Sequence, residues 1–108
     1  MLHLRQRTQP VFARDTGTAA GTIQATMPAG GPSTGLAEVA WVLARRYQGH
    51  GYATEAARSL VLALQRAGWA VMAHIHPRHL ASQGVARAAG LSPSSEIYEG
   101  EIRWISNP

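Results

Sequence analysis

The stretch AEVAWVLARRYQGHGYATEAARSLVLALQRAG, residues 37–68, changes its period halfway along. AEVAWVLA, residues 37–44, is a short apolar run rich in β-formers, as a largely buried strand requires. From about Tyr52 to Ala67 the apolar residues Ala53, Ala56, Leu60, Leu64 and Ala67 recur at three- and four-residue spacing, with Arg58 and Gln65 off the stripe. That pattern predicts an amphipathic helix, and Gly68 suits the position just past its end. The helix begins on Gly49-His50-Gly51, which offers no Ser or Asp side chain to cap its first N–H groups. Bare N–H groups with no bulky side chain before them are a place to hold an anion.

Outward from this unit the chain alternates similar elements. Residues 2–14 (LHLRQRTQPVFAR) and 19–27 (AAGTIQATM) are strand-like, and the turn residues Asp15-Thr16-Gly17-Thr18 separate them. PAGGPSTG, 28–35, is a loop by composition. WAVMAHIH, 69–76, predicts another buried strand, ended by Pro77, and RHLASQGVARAAG, 78–90, a second helix closed by Gly90. EIYEGEIRWIS, 96–106, alternates like one edge or half-exposed strand. The order is hairpin, strand, helix, strand, helix, strand: a single α/β domain over 1–108 with a mixed sheet.

Composition narrows the chemistry. With 45% hydrophobic and 15% charged residues the chain is globular, not disordered. The formal net charge is +4 and all ten basic residues are arginine, which favours anionic partners without choosing among nucleic acid, phosphate and a phosphorylated cofactor. The absence of cysteine excludes disulfides and thiolate chemistry. There is no apolar leader-like segment near Arg5 and Arg7, so a cytoplasmic location is expected.

The glycine turn is neither a Walker loop, since no Gly-Lys-Ser/Thr follows, nor a dinucleotide fingerprint, since the third glycine is missing. Gln48-Gly49-His50-Gly51-Tyr52-Ala53 does resemble the Gln/Arg-x-x-Gly-x-Gly/Ala pyrophosphate loop of the GCN5-related N-acetyltransferases, the GNAT superfamily. The stretch through Ala53-Thr54-Glu55-Ala56, with Trp41 ahead of the loop, is similar to the branch of ribosomal-protein N-terminal acetyltransferases typified by RimJ and RimL. Downstream, AHIHPRHLASQGVARAAGL resembles that branch's Pro-x-Asn-x-x-Ser segment and closing Gly-Phe, with His79 in place of Asn and Leu91 in place of Phe.

The resemblance implies an acyl-CoA N-acyltransferase fold that lacks the strand and two helices usually found first. It implies acetyl-CoA as co-substrate, no metal, and direct acetyl transfer to a primary amine, either a protein N-terminus or a small molecule. Pyrophosphate would lie on the amides of Gly49 to Thr54, so Gln48, Gly49, His50, Gly51, Tyr52, Ala53 and Thr54 become cofactor-binding candidates. Trp41, Val42 and Leu43 would pair by backbone with the pantetheine arm, and an N–H there would polarise the thioester carbonyl. Arg45 and Arg46 are candidates for the 3′-phosphate, and His79 and Ser82 for the pantetheine or sulfur.

Proton transfer needs a base for the ammonium and an acid for the thiolate. Glu38 and His74 are alternative bases: other relatives place a water-mediated base near Glu38, and His74 falls where the RimI-type branch carries its glutamate. The family's usual acid, a tyrosine, would be Ala86 here, which cannot donate. Ser82 or water is left. A bare sheet edge at residues 2–14 would invite a second copy, so a homodimer is expected.

Other readings compete. VARAAGLSPSSEIY, 85–98, looks like a helix-turn-helix turn, but the alternation from Glu96 to Ser106 leaves no recognition helix, so nucleic-acid binding is not expected. His74, His76 and His79 form H-x-H-x-x-H, yet Pro77 turns the chain before His79 and no Asp or Cys completes a site. The stronger alternative is a domain that binds acetyl-CoA as a sensor or interaction module without turnover.

Overall fold

The computed structural model describes residues 4–12, 19–43 and 51–107, with side chains over 21–42 and 51–107. The predicted elements are present with trimmed ends. Strands β1 (Leu4–Phe12), β2 (Ala19–Pro28) and β3 (Ala37–Leu43) precede helix α1 (Tyr52–Arg66). Strand β4 (Val71–Ile75), helix α2 (Leu80–Ala88), and strands β5 (Leu91–Tyr98) and β6 (Glu101–Ser106) follow. Inside the expected loop a short 3₁₀ turn spans Pro32–Thr34.

The six strands form one mixed sheet in the order β1-β2-β3-β4-β6-β5. The neighbours β3 and β4 are parallel, joined by α1 as a crossover; the other pairs are antiparallel. Alternation decides which face is covered. Ala37 and Val39 on β3 and Val71, Ala73 and Ile75 on β4 are buried, together with Val61 and Leu64 of α1 and Ala86 of α2. Leu91 and Trp104 complete that core from the β5–β6 side. Both helices therefore cover one face. Glu38, Met72, His74 and Arg103, at the alternate positions, lie on the other face, where they are only partly buried.

One expectation needs correction. Residues 96–106 are not a single edge strand, because Glu99 and Gly100 form a tight turn with φ of 50° and 81°. Two consecutive residues at positive φ make the type I′ geometry whose twist suits a hairpin. The missed strand β5 is the true sheet edge, and β6 lies inside the sheet. The same hairpin rules out the helix-turn-helix look of residues 85–98, since a strand follows Gly90.

Glu99 pays a steric penalty at positive φ that Asn tolerates better. Glu99→Asn is expected to raise Tm by ~2–5 °C, a gain of under about 1 kcal/mol, in a thermal melt. A lowered Tm would contradict the turn assignment.

Candidate active site

The strands β3 and β4 share only two register pairs, Ala37↔Val71 and Glu38↔Met72, and then part. On its other side β3 stays paired with β2 as far as Leu43↔Gly21, so the opening is one-sided. Ala37 donates its N–H toward β4, to the Ala70 carbonyl at 3.0 Å. The Glu38↔Met72 pair continues this ladder through the Val39 N–H, and strand alternation turns the next amide on that side, that of Trp41, into the opening. A wedge lined by strand backbone can take an extended chain as an added strand.

Helix α1 starts where that wedge widens. Its N-cap, Gly51, has φ 81° in the left-handed region and supplies no side-chain cap. Glu55 N–H bonds back to the Gly51 carbonyl at 2.9 Å, and the amides of Ala53 and Thr54 belong to the helix's first turn, which α-helical geometry leaves without acceptors inside the helix. Gly51, Ala53 and Thr54 line a cleft of about 560 Å³ with Trp41, Val42, His79 and Ser82. Its size is ordinary for a small-molecule site, and its bare amides with the α1 dipole fit an anionic group such as pyrophosphate. Gln48, Gly49 and His50, and also Arg45 and Arg46, lie outside the described residues. Leu43 is placed in β3 by backbone alone. The Tyr52 side chain packs with the small core around Ile23 and Ala57, which leaves the expected role to its backbone.

A second cavity, of about 210 Å³, adjoins the cleft inside the wedge and is lined by Ala40, Ala73, His74, His76 and Glu101. Trp41, His79 and Ser82 line both. Two hydrogen bonds fix this boundary. The Trp41 indole N–H donates to Ser82 Oγ at 3.2 Å, and Ser82 N–H donates to His79 Nδ1 at 3.0 Å, making His79 the side-chain cap of α2. A histidine that caps a helix through Nδ1 explains how it can stand at an Asn-like position.

The two alternative bases turn out to be neighbours. His74 Nδ1 and Glu38 Oε2 are 2.8 Å apart, with side-chain exposures of 13% and 40%. His74 Nε2 accepts a long hydrogen bond, 3.5 Å, from Arg103 Nε. Arg103 Nη1 in turn donates to Glu96 Oε2 at 2.8 Å. The Tyr98 ring stands 5.7 Å from the imidazole, tilted by 44°. Glu96 reaches Arg103 because β5 bulges between Pro93 and Ile97. The Ser94 hydroxyl donates to the Arg103 carbonyl at 2.7 Å and stitches the bulge in place.

Arg103, Glu96 and Tyr98 were missed by sequence reasoning. Their only trace was the alternation of residues 96–106, and a register across three strands is needed to bring them to His74. The three histidines do not converge. His76 Nδ1 accepts from the Arg78 N–H at 3.1 Å and His79 caps α2, and no metal-binding group is found among the described residues.

Ser82→Ala removes one hydroxyl from the boundary but keeps the α2 backbone. We expect a loss in acetyl-CoA affinity of a few-fold, about 1 kcal/mol, by calorimetry. An affinity loss as large as that from disrupting the Gly51 turn would contradict this division of roles.

The profile of a protein family described as "Acetyltransferase (GNAT) domain" matches residues 4–92. No curated protein matches the chain. Among solved structures, one from Vibrio cholerae, provisionally named a ribosomal-protein-serine acetyltransferase, superposes with TM-score 0.73 at 23% identity, over 96% of this chain and 65% of its own. An acetyltransferase from Agrobacterium tumefaciens gives 0.74 at 20% identity, over 95% and 61%. A spermidine N-acetyltransferase chimera from Vibrio cholerae gives 0.72 at 12%, over 94% and 66%. At these identities the superpositions speak for the fold. The chain spans under two thirds of the length of the first two.

Proposed function

Because the chain belongs to the GNAT acetyltransferase domain family, we propose that it binds acetyl-CoA in the α1 cleft and transfers the acetyl group directly to a primary amine. The observation that carries this reading is the meeting of two cavities at Trp41, His79 and Ser82. One holds a helix N-terminus suited to a pyrophosphate, and the other is bordered by the His74 imidazole, whose Nδ1 lies 2.8 Å from the Glu38 carboxylate.

Acetyl-CoA supplies an activated thioester; the rest falls to the chain. Gly51, Ala53 and Thr54, with Gln48, Gly49 and His50 before them in sequence, hold the phosphates by backbone N–H groups. The Trp41 amide, past the last β3–β4 pair, orients the arm and polarises the carbonyl; such a donor is worth roughly 3–4 kcal/mol. Glu38 and His74 take the proton of the acceptor ammonium, directly or through water. Ser82 Oγ, which accepts from Trp41, keeps its own O–H to donate toward the leaving thiolate.

The Tyr52-Ala53-Thr54-Glu55-Ala56 start of α1 and Ser82 in the first turn of α2 favour the branch of RimJ and RimL, hence a protein N-terminus as acceptor. A small amine such as a polyamine is the other class. Mass spectrometry of products from mixed peptides and polyamines tests this choice: acetylated peptide N-termini support the first, and acetylated polyamine alone overturns it. We also propose a homodimer through β1, which terminates the sheet. Sedimentation showing a monomer at micromolar concentration would overturn that part.

A further inference from the structure

We propose that Arg103, anchored by Glu96, is a positioning residue that locks His74 in its Nδ1–H tautomer and so leaves the Glu38 carboxylate as the group that accepts the acceptor's proton. The proposal deepens the reading of Glu38 and His74 as the proton-accepting pair and rests on it.

The argument follows the donors and acceptors along one line across four strands. Glu96 lies on β5, Arg103 on β6, His74 on β4 and Glu38 on β3. Arginine stays protonated and has five N–H donors but no acceptor. An imidazole nitrogen facing Arg103 Nε at 3.5 Å must therefore present its lone pair. With Nε2 unprotonated, the ring proton of neutral His74 is on Nδ1, where Glu38 Oε2 accepts it at 2.8 Å. The opposite tautomer would set N–H against N–H at Arg103 and a lone pair against a carboxylate at Glu38. Both mismatches act in the same direction.

The consequence is a division of labour within the pair. The lone pair of His74 Nε2 is covered by a donor that cannot give up its role, and the Nδ1 proton is already committed. Glu38 has its second oxygen outside the His74 hydrogen bond and is the more exposed partner, at 40% against 13%. It remains open to a water or an ammonium, while His74 fixes its orientation from behind. Register supports Arg103 in this role, since His74 and Arg103 are directly paired across β4 and β6. Glu96 holds the far side of the guanidinium at 2.8 Å, and the Tyr98 ring limits rotation of the imidazole. The other titratable groups bordering the same cavity are His76, His79 and Glu101. His76 Nδ1 accepts from the Arg78 N–H and His79 Nδ1 from the Ser82 N–H, so both are held by backbone donors away from His74.

The test is ¹⁵N–¹H correlation spectroscopy of the ligand-free chain labelled at histidine, with His74→Asn used to assign the ring. Wild type is expected to show a protonated-type Nδ1 and a lone-pair-type Nε2 for His74 at neutral pH. Arg103→Met removes the donor at similar length, and the single tautomer is expected to give way to a mixture. Glu96→Gln, which leaves Arg103 and the fold in place, is expected to shift the ratio in the same direction by less. An Nε2–H tautomer in wild type, or an unchanged ratio in both variants, would overturn the proposal. None of these readings requires turnover, so the tautomer can fail while acetyl transfer stands, and the reverse.

Discussion

Gly51→Glu is expected to weaken acetyl-CoA binding by at least ~100-fold, about 2.7 kcal/mol, in a titration calorimetry experiment. Two effects contribute and can be separated. Gly51 sits at φ 81°, where an L-residue is strained by roughly 1–2 kcal/mol, and any side chain incurs that cost. Gly51→Ala carries the strain alone, because a Cβ at this position meets nothing within 4 Å among the described residues. The glutamate adds a carboxylate at the helix end that is to hold pyrophosphate, placing like charges against each other where the dipole favours only one. The alanine variant should therefore bind much more tightly than the glutamate variant. Equal affinities in two folded proteins would remove the phosphates from the α1 N-terminus.

Glu38→Gln is expected to lower turnover by ~10²–10⁴ while leaving the dissociation constant for acetyl-CoA in place. The substitution is nearly isosteric, and an amide oxygen can still accept the His74 Nδ1–H, so the wedge keeps its shape. What is lost is the ability to take a proton. Glu38 does not line the α1 cleft, which is why affinity and rate should part. A rate unaffected by Glu38→Gln would assign deprotonation of the amine to solvent, and a matching fall in affinity would give Glu38 a structural role.

The strand–turn–helix at residues 37–68 was legible because an apolar run gives way to helical spacing around a glycine turn, but the stripe was read slightly rotated. Helix α1 buries Ala53, Ala57, Val61 and Leu64 and leaves Ala67 exposed, and β3, among the described residues, buries only Ala37 and Val39. Strand β4 was legible for the same reason, as a short apolar run bounded by Gly68 and Pro77. The β5–β6 hairpin was not. Its turn, Glu99-Gly100, carries only one residue that favours positive φ, and Pro93 with two serines after it gave no strand signal over the start of β5.

At the site, Glu38 and His74 were each visible as candidates, but only the two-pair contact between β3 and β4 sets them 2.8 Å apart. They are 36 residues apart in sequence, so no spacing rule joins them. The Trp41–Ser82 hydrogen bond likewise joins residues 41 apart in sequence, which no spacing rule links. Arg103 was hidden more deeply, since its relevance depends on strand order and on a bulge.

The central claim is that these two cavities form one transfer site. It is tested most directly by following release of the CoA thiol from saturating acetyl-CoA, with and without a primary amine, using wild-type protein. The account predicts release that depends on the amine and exceeds the rate with acetyl-CoA alone. Tight acetyl-CoA binding with no amine-dependent thiol release, from peptide N-termini or polyamines, would contradict it and leave a domain that senses the cofactor without consuming it.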